Sequence, residues 1–145
     1  MEATRRRPLP LSPEQVETIG RIARANKLAL VVLFGSRAKG RARDNSDWDF
    51  AVTPDPGRRL TMEEEGRLEA EFAQTGLDRV EVRGLWGASP LFQIEVYRSG
   101  MVVYAKDDRV WPLFRLYAAK TLRDTEKFRI ARHRVAMRIL ERLLQ

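Results

Sequence analysis

The sequence predicts an α+β domain of two layers, a small β-sheet covered by helices, and three observations carry that expectation. Seven consecutive apolar, β-prone residues run from Leu28 to Phe34. Two more stretches, 47–53 and 79–83, alternate apolar and polar residues with the period of a strand. Between these strands lie segments with helical spacing and explicit helix-start signals.

Residues 1–10 read as a flexible basic arm, Arg5-Arg6-Arg7 followed by two prolines. Ser12 supplies an N-cap, Pro13 a first-turn proline and Gln15 the reciprocal partner of a capping box. Val16, Ile19 and Ala23 then recur on one helical face, so a helix is expected over 13–25. Leu28 to Phe34 has no polar position to turn to water, which is the pattern of a strand buried on both sides. Gly35-Ser36 ends it, and Arg37 to about Arg41 forms a short helical turn. In 47–53, Trp48, Phe50 and Val52 share one face while Asp47 and Asp49 share the other.

Pro54-Asp55-Pro56-Gly57 is a turn. Thr61 with Glu64 predicts a second capping box, and Leu68 with Phe72 gives the apolar seam of a helix ending near Gly76. In 79–83, Val80 and Val82 point inward and Glu81 outward; Asp78 would share the apolar side only if the strand reached it. Ser89-Pro90 opens a helix that Gly100 closes, and 101–105 is a short strand. Asp107-Asp108 leads into a long helical stretch reaching Leu144, with Pro112 tolerable only near its start. One helix, or two broken near 121–125, both fit that stretch.

The chain's 145 residues fit one domain, placed at 11–145. With no cysteine there is no disulfide framework, Cys-ligated zinc or thiol catalysis. With His133 the sole histidine, a Ser-His-Asp triad or a multi-histidine metal site is all but excluded. Any metal must be held by carboxylates, which favours a hard ion such as Mg²⁺. The longest apolar run is seven residues, too short to span a membrane, and 1–10 has no hydrophobic signal core, so a cytoplasmic, soluble protein is expected.

The net charge of +7 is unevenly spread: +7 over 1–43, −7 over 44–81 and +7 over 82–145. An acidic centre between basic flanks suits a phosphate-bearing ligand bridged by cations. Within 109–142, ten Lys/Arg face three Asp/Glu over an apolar stripe that includes Phe128, Val135, Ile139 and Leu143. Such a face is either a solvated surface above a core or a docking surface for an acidic protein or RNA, and the solvated surface leads. Glu63-Glu64-Glu65 reads as an exposed first helical turn, and His133 as a surface or partner-facing residue.

Three features converge on one chemistry. After the buried strand, Gly35 lets the backbone turn sharply, Ser36 offers a hydroxyl, and the next turn offers free amides, with Arg37 and Lys39 as cationic support. That is a phosphate-binding corner. Asp47 and Asp49 lie two residues apart on a strand, so their carboxylates share a face, and their repulsion calls for a cation between them. Glu81 is the third acid if its strand lies beside theirs; otherwise it pairs with Arg79 or Arg83. Three converging carboxylates form the donor set of two-metal phosphoryl transfer, with two Mg²⁺ ions shared by the aspartates.

The spacing Gly35-Ser36, ten residues, Asp47-x-Asp49 resembles the signature of the DNA polymerase β-like nucleotidyltransferases. Gly35 to Gly40 and Ser46 to Phe50 resemble the minimal nucleotidyltransferase subfamily in particular. So does the later order of Val-acid-Val strand, Ala88-Ser89-Pro90, short helix, Gly-led strand and basic C-terminal helix, extending the likeness over about 12–140. That subfamily includes MntA-type antitoxins partnered with HEPN-domain toxins. The resemblance implies the nucleotidyltransferase fold, a compact mixed sheet flanked by helices that binds Mg²⁺ and ATP and transfers AMP to a tyrosine hydroxyl of the toxin. It places Gly35 and Ser36 at the triphosphate, Asp47 and Asp49 at the metals, and Glu81 at the third-acid position, where the family more often has Asp. Two other functions compete: a non-catalytic antitoxin that neutralises a toxin by steric contact, and a stand-alone transferase acting on RNA or a small molecule. Direct nucleic-acid binding is not favoured.

Overall fold

The computed structural model describes residues 7–56 and 58–145. The arm expected at 1–10 and the turn expected at 54–57 therefore lie partly outside the described residues.

Four strands form one sheet: β1 (Leu28–Phe34), β2 (Trp48–Pro54), β3 (Val80–Gly84) and β4 (Met101–Ala105), in the order β3-β2-β1-β4. β1 is antiparallel to both β2 and β4, whereas β2 and β3 are parallel. A parallel pair cannot be joined by a tight hairpin, and here α3 (Met62–Ala73) carries the chain back. The sheet is thus mixed, as the resemblance implies, and the α+β class holds with a long C-terminal helix.

The helices lie on both faces, which adds a layer to the two expected. On one face, Ile19 and Ala23 of α1 (Pro13–Ala25) and Leu68 and Phe72 of α3 pack with Val31, Leu33, Phe50, Val52 and Val82. On the other, Val96 of α4 (Pro90–Ser99) and Phe114 and Ala118 of α5 (Val110–Leu143) pack with Leu30, Val32, Phe34 and Ala51. All seven residues of β1 are buried, because a strand covered on both sides has no polar position. Leu9 and Leu11 also pack against the first of these clusters, tying the described start of the chain to the body.

The helix starts follow their sequence signals with one exception. Ser12 Oγ accepts from the Gln15 amide at 3.1 Å, and Gln15 Oε1 accepts from the Ser12 amide at 2.9 Å, a complete capping box. At α3, Thr61 Oγ1 accepts from the Glu64 amide at 3.1 Å, but the return bond to the Thr61 amide is missing: Glu64 Oε1 accepts from the Thr61 hydroxyl at 3.3 Å and Oε2 pairs with Arg58. α4 begins with Ser89 Oγ accepting from the Phe92 amide at 3.3 Å.

Gly100 ends α4 for reasons of space. A Cβ there would stand 2.8 Å from both Trp111 and Val32. α5 is a single helix of 34 residues, with Pro112 in its first turn. The threonines near 121–125 do not break it, since Thr121 Oγ1 donates to Tyr117 O at 3.1 Å and stays within the helix. Among the described residues no helix is long and apolar enough to cross a membrane.

Candidate active site

Strand register brings the acids together. In the parallel pair, Asp49 of β2 lies opposite Glu81 of β3, and in the antiparallel pair it lies opposite Phe34, the last residue of β1. Phe50, Val52 and Val82 turn into the core with α1 and α3, so Asp49 and Glu81, one residue away, turn to the opposite face. β2 begins at Trp48, one residue later than the sequence indicates, and Asp47 stands immediately before it. Asp47, Asp49 and Glu81 each offer a carboxylate oxygen, all within 4.8 Å of one another. Asp47 is exposed, and the other two are half-buried.

Gly35 closes the other side of this cluster. Its φ of +76° belongs to a region that side chains rarely adopt, and a Cβ there would lie 2.7 Å from Asp49 Oδ2. The Gly35-Ser36 corner and the acid pair are therefore immediate neighbours. Ser36 begins α2 (Ser36–Lys39), whose start carries no side-chain cap. The Gly35 amide donates to Ser99 Oγ at 3.4 Å, which fixes the corner to the end of α4.

The Asp49 carboxyl is pushed up to about 6. Burial is the leading cause, followed by the neighbouring carboxyl of Glu81 and then by Asp47, with Arg83 opposing. Such a group loses its proton more readily when a cation arrives. The donor set fits a divalent hard ion: three carboxylates, with no nitrogen or sulfur ligand.

The sequence left two partners for Glu81, the acid cluster or a neighbouring arginine, and the structure shows both at once. Arg83 Nη2 and Nε donate to Glu81 Oε1 at 2.7 and 3.2 Å. Both contacts use Oε1, so Oε2 of the longer acid keeps its lone pairs for the cluster. Arg79 turns elsewhere, with φ +56° and its Nη1 donating to Asn45 O at 3.0 Å.

Arg37 is engaged with the neighbouring loop. Its Nη2 donates to Ser46 O at 3.0 Å, and its guanidinium lies over Trp48 at 4.4 Å. It clamps the loop that presents Asp47. Lys39 is exposed at the end of α2. Sequence reasoning did not find Ser99, whose one local signal is its place before Gly100, and it weighed Arg83 only as an alternative to the acid cluster.

Known proteins share this fold and part of this sequence. Residues 17–109 match the family described as "Polymerase beta, Nucleotidyltransferase". The chain is 35% identical over 85 residues to the protein adenylyltransferase MntA of Aphanizomenon flos-aquae (strain 2012/KM1/D3), a match covering 53% of this chain and 57% of that protein. It thus spans a little over half the length of this curated relative. A crystal structure of a toxin–antitoxin with AMP-PNP superposes with a TM-score of 0.70 at 25% identity, covering 84% of this chain and 98% of the other. The Shewanella oneidensis complex of a tri-AMPylated HEPN toxin with its MNT antitoxin shares the fold, with a TM-score of 0.66 at 22% identity, covering 86% and 97%. The Gly-Ser corner, the paired aspartates and the third acid on the parallel strand all lie within the matched residues, and the chain belongs to the polymerase β nucleotidyltransferase family.

Proposed function

We propose that residues 11–145 act as one Mg²⁺-dependent nucleotidyltransferase domain that moves AMP from ATP to a hydroxyl, that of a tyrosine, on a partner HEPN-type toxin. In doing so it acts as the toxin's antitoxin, in the cytoplasm where its nucleotide is. The observation that carries the reaction class is the convergence of Asp47, Asp49 and Glu81 within 4.8 Å beside Gly35. The choice of adenylate and of a protein acceptor is supported by the curated adenylyltransferase relative and by the toxin–antitoxin structure with AMP-PNP.

Asp47, Asp49 and Glu81 would hold the two Mg²⁺ ions. Bound there, the ions supply neutralisation of triphosphate charge and orientation of the reacting oxygens. The chain's own residues do the rest. Gly35 removes the side chain that would keep a phosphate from the backbone, and Ser36 offers its hydroxyl to the triphosphate. Lys39, exposed at the end of α2, adds positive charge on the same side. Arg37 contributes by fixing the Asp47 loop. Asp49, or Glu81 through Oε2, takes the acceptor's proton as pyrophosphate leaves. No protein nucleophile is required, in keeping with a chain that has no cysteine and one histidine.

The test is incubation with ATP, Mg²⁺ and a HEPN-type toxin from the same genome, followed by intact-mass measurement. The toxin should gain mass in steps of one AMP, and Asp47→Asn/Asp49→Asn should abolish the gain, a fall of at least about 10³-fold. An unmodified toxin overturns the enzymatic assignment. Continued modification by the double variant overturns the metal assignment.

A further inference from the structure

Catalysis leaves the far part of α5 unused. From Glu126 to the end of the chain every residue is exposed, so about 27 Å of helix has no cover among the described residues. This is not a polar helix. Phe128, Val135, Ile139 and Leu143 recur at steps of seven, four and four, forming one stripe in which Phe128 is 67% exposed and Leu143 76%. Ile130, Met137, Leu140 and Leu144 recur at steps of seven, three and four, forming a second exposed stripe. At 100° per residue the two stripes and the gap between them span roughly 220° of the circumference, with Arg132 inside the first stripe, His133 and Glu126 inside the second, and Arg129 between them. Lys127, Arg134, Arg138 and Arg142 fill the remaining sector. Over 122–144 there are seven Lys/Arg against three Asp/Glu.

A helix whose large apolar side chains form two stripes spread over more than half its girth is suited to enclosure from two sides, whereas a single stripe needs only a flat surface. We infer that the distal part of α5 is a docking element that inserts between two helices of an acidic, α-helical partner protein. The partner's apolar walls cover the two stripes, and its carboxylates face the Lys127–Arg142 sector. Arg132 interrupts the first stripe, so a carboxylate is expected inside the groove as well. This rests on the proposed function, under which that partner is the toxin. A second copy of this chain is the poorer occupant, because it would bring an identical cationic sector against the first. RNA is the poorer ligand, because phosphate recognition needs the cations and leaves eight large apolar side chains uncovered.

The experiment uses the full chain and the same HEPN-type toxin, with affinity measured by calorimetry. Two variants are compared with wild type: Phe128→Glu/Ile139→Glu and Arg134→Glu/Arg138→Glu, each checked for unchanged helix content. These side chains are exposed, so the body should fold as before. Affinity should fall at least about 100-fold in the apolar variant and about tenfold in the charge variant, which should also lose salt dependence. Binding of a fluorescent ATP analogue should be unchanged in both. Wild-type affinity in both variants overturns the inference, as does a wild-type dimer that the variants dissociate, or single-stranded RNA binding that the variants alone abolish. If α5 variants lose the partner while wild type binds it but never transfers AMP, docking stands and the catalytic assignment fails. If α5 variants transfer AMP at the full rate, the catalytic assignment stands and docking fails.

Discussion

The two halves of α5 carry apolar residues at the same helical spacings and have opposite surroundings. Phe114 and Ala118 are sealed against Leu30, Val32, Ala51 and Val96. Two turns beyond Ala118 begins a stretch in which Phe128, Val135 and Ile139 are more than half exposed. Periodicity shows that a face needs cover, and it is silent on whether this chain supplies that cover. The near half belongs to the body that holds the acids; the far half extends past it.

Substitution can break that contrast, and the largest effect is expected in the body. Phe114→Ala should destabilise the protein by about 3–5 kcal/mol, because it opens a cavity in the second core cluster, and thermal or denaturant unfolding measures this directly. A much smaller loss would show that α5 is only loosely bound even where it is buried. Next comes Gly35→Ala, which forces a side chain into left-handed backbone and onto the Asp49 carboxylate. Transfer activity should drop about 10²-fold with partner affinity unchanged, separating body from arm in a single variant.

A pH dependence follows in size. Asp49 is raised to about 6, so the folded state holds a proton that the unfolded chain has already released. Its contribution to stability is therefore full at pH below the ordinary aspartate range and is lost as pH rises through about 6. The metal-free protein should show this decline, and Asp49→Asn should remove it. Mg²⁺ affinity should move the other way, weakening about tenfold per pH unit below 6 as proton and cation compete, measurable by titration calorimetry. The smallest effect is expected in the arm: Phe128→Ala should change stability by less than about 0.5 kcal/mol. A large loss there would mean that the exposed stripe is covered in solution.

Most of the body was legible before any coordinates. Signals that act within a few residues translated directly: the Ser12 and Ser89 caps, the unbroken apolar run of β1, and the alternation that separates Asp49 and Glu81 from Val52 and Val82. The acid cluster required one long-range fact, that β3 lies parallel beside β2, which the sequence left open; the family resemblance bore on it only by placing Glu81 at the third-acid position. Side-chain choices among several partners were not legible. Glu64 takes Arg58 and the Thr61 hydroxyl instead of completing its capping box, and Arg37 prefers the Ser46 carbonyl and the Trp48 ring to an open position. Such choices depend on distances across loops, which spacing in one sequence does not encode. The burial of β1 on both sides was legible, but which helices cover which face was not. The layer count fell one short, because the side a crossover takes is a property of the assembled sheet.

The contact between residue 35 and Asp49 also bears on how the site responds to its ligands. Under the proposed function, with residue 35 beside Asp49, a phosphate that shifts the corner would also shift a metal ligand, and a cation that draws Asp49 inward would tighten the corner. Nucleotide and cation affinities are then linked quantities, each altering the other by the same factor, and they are best measured together.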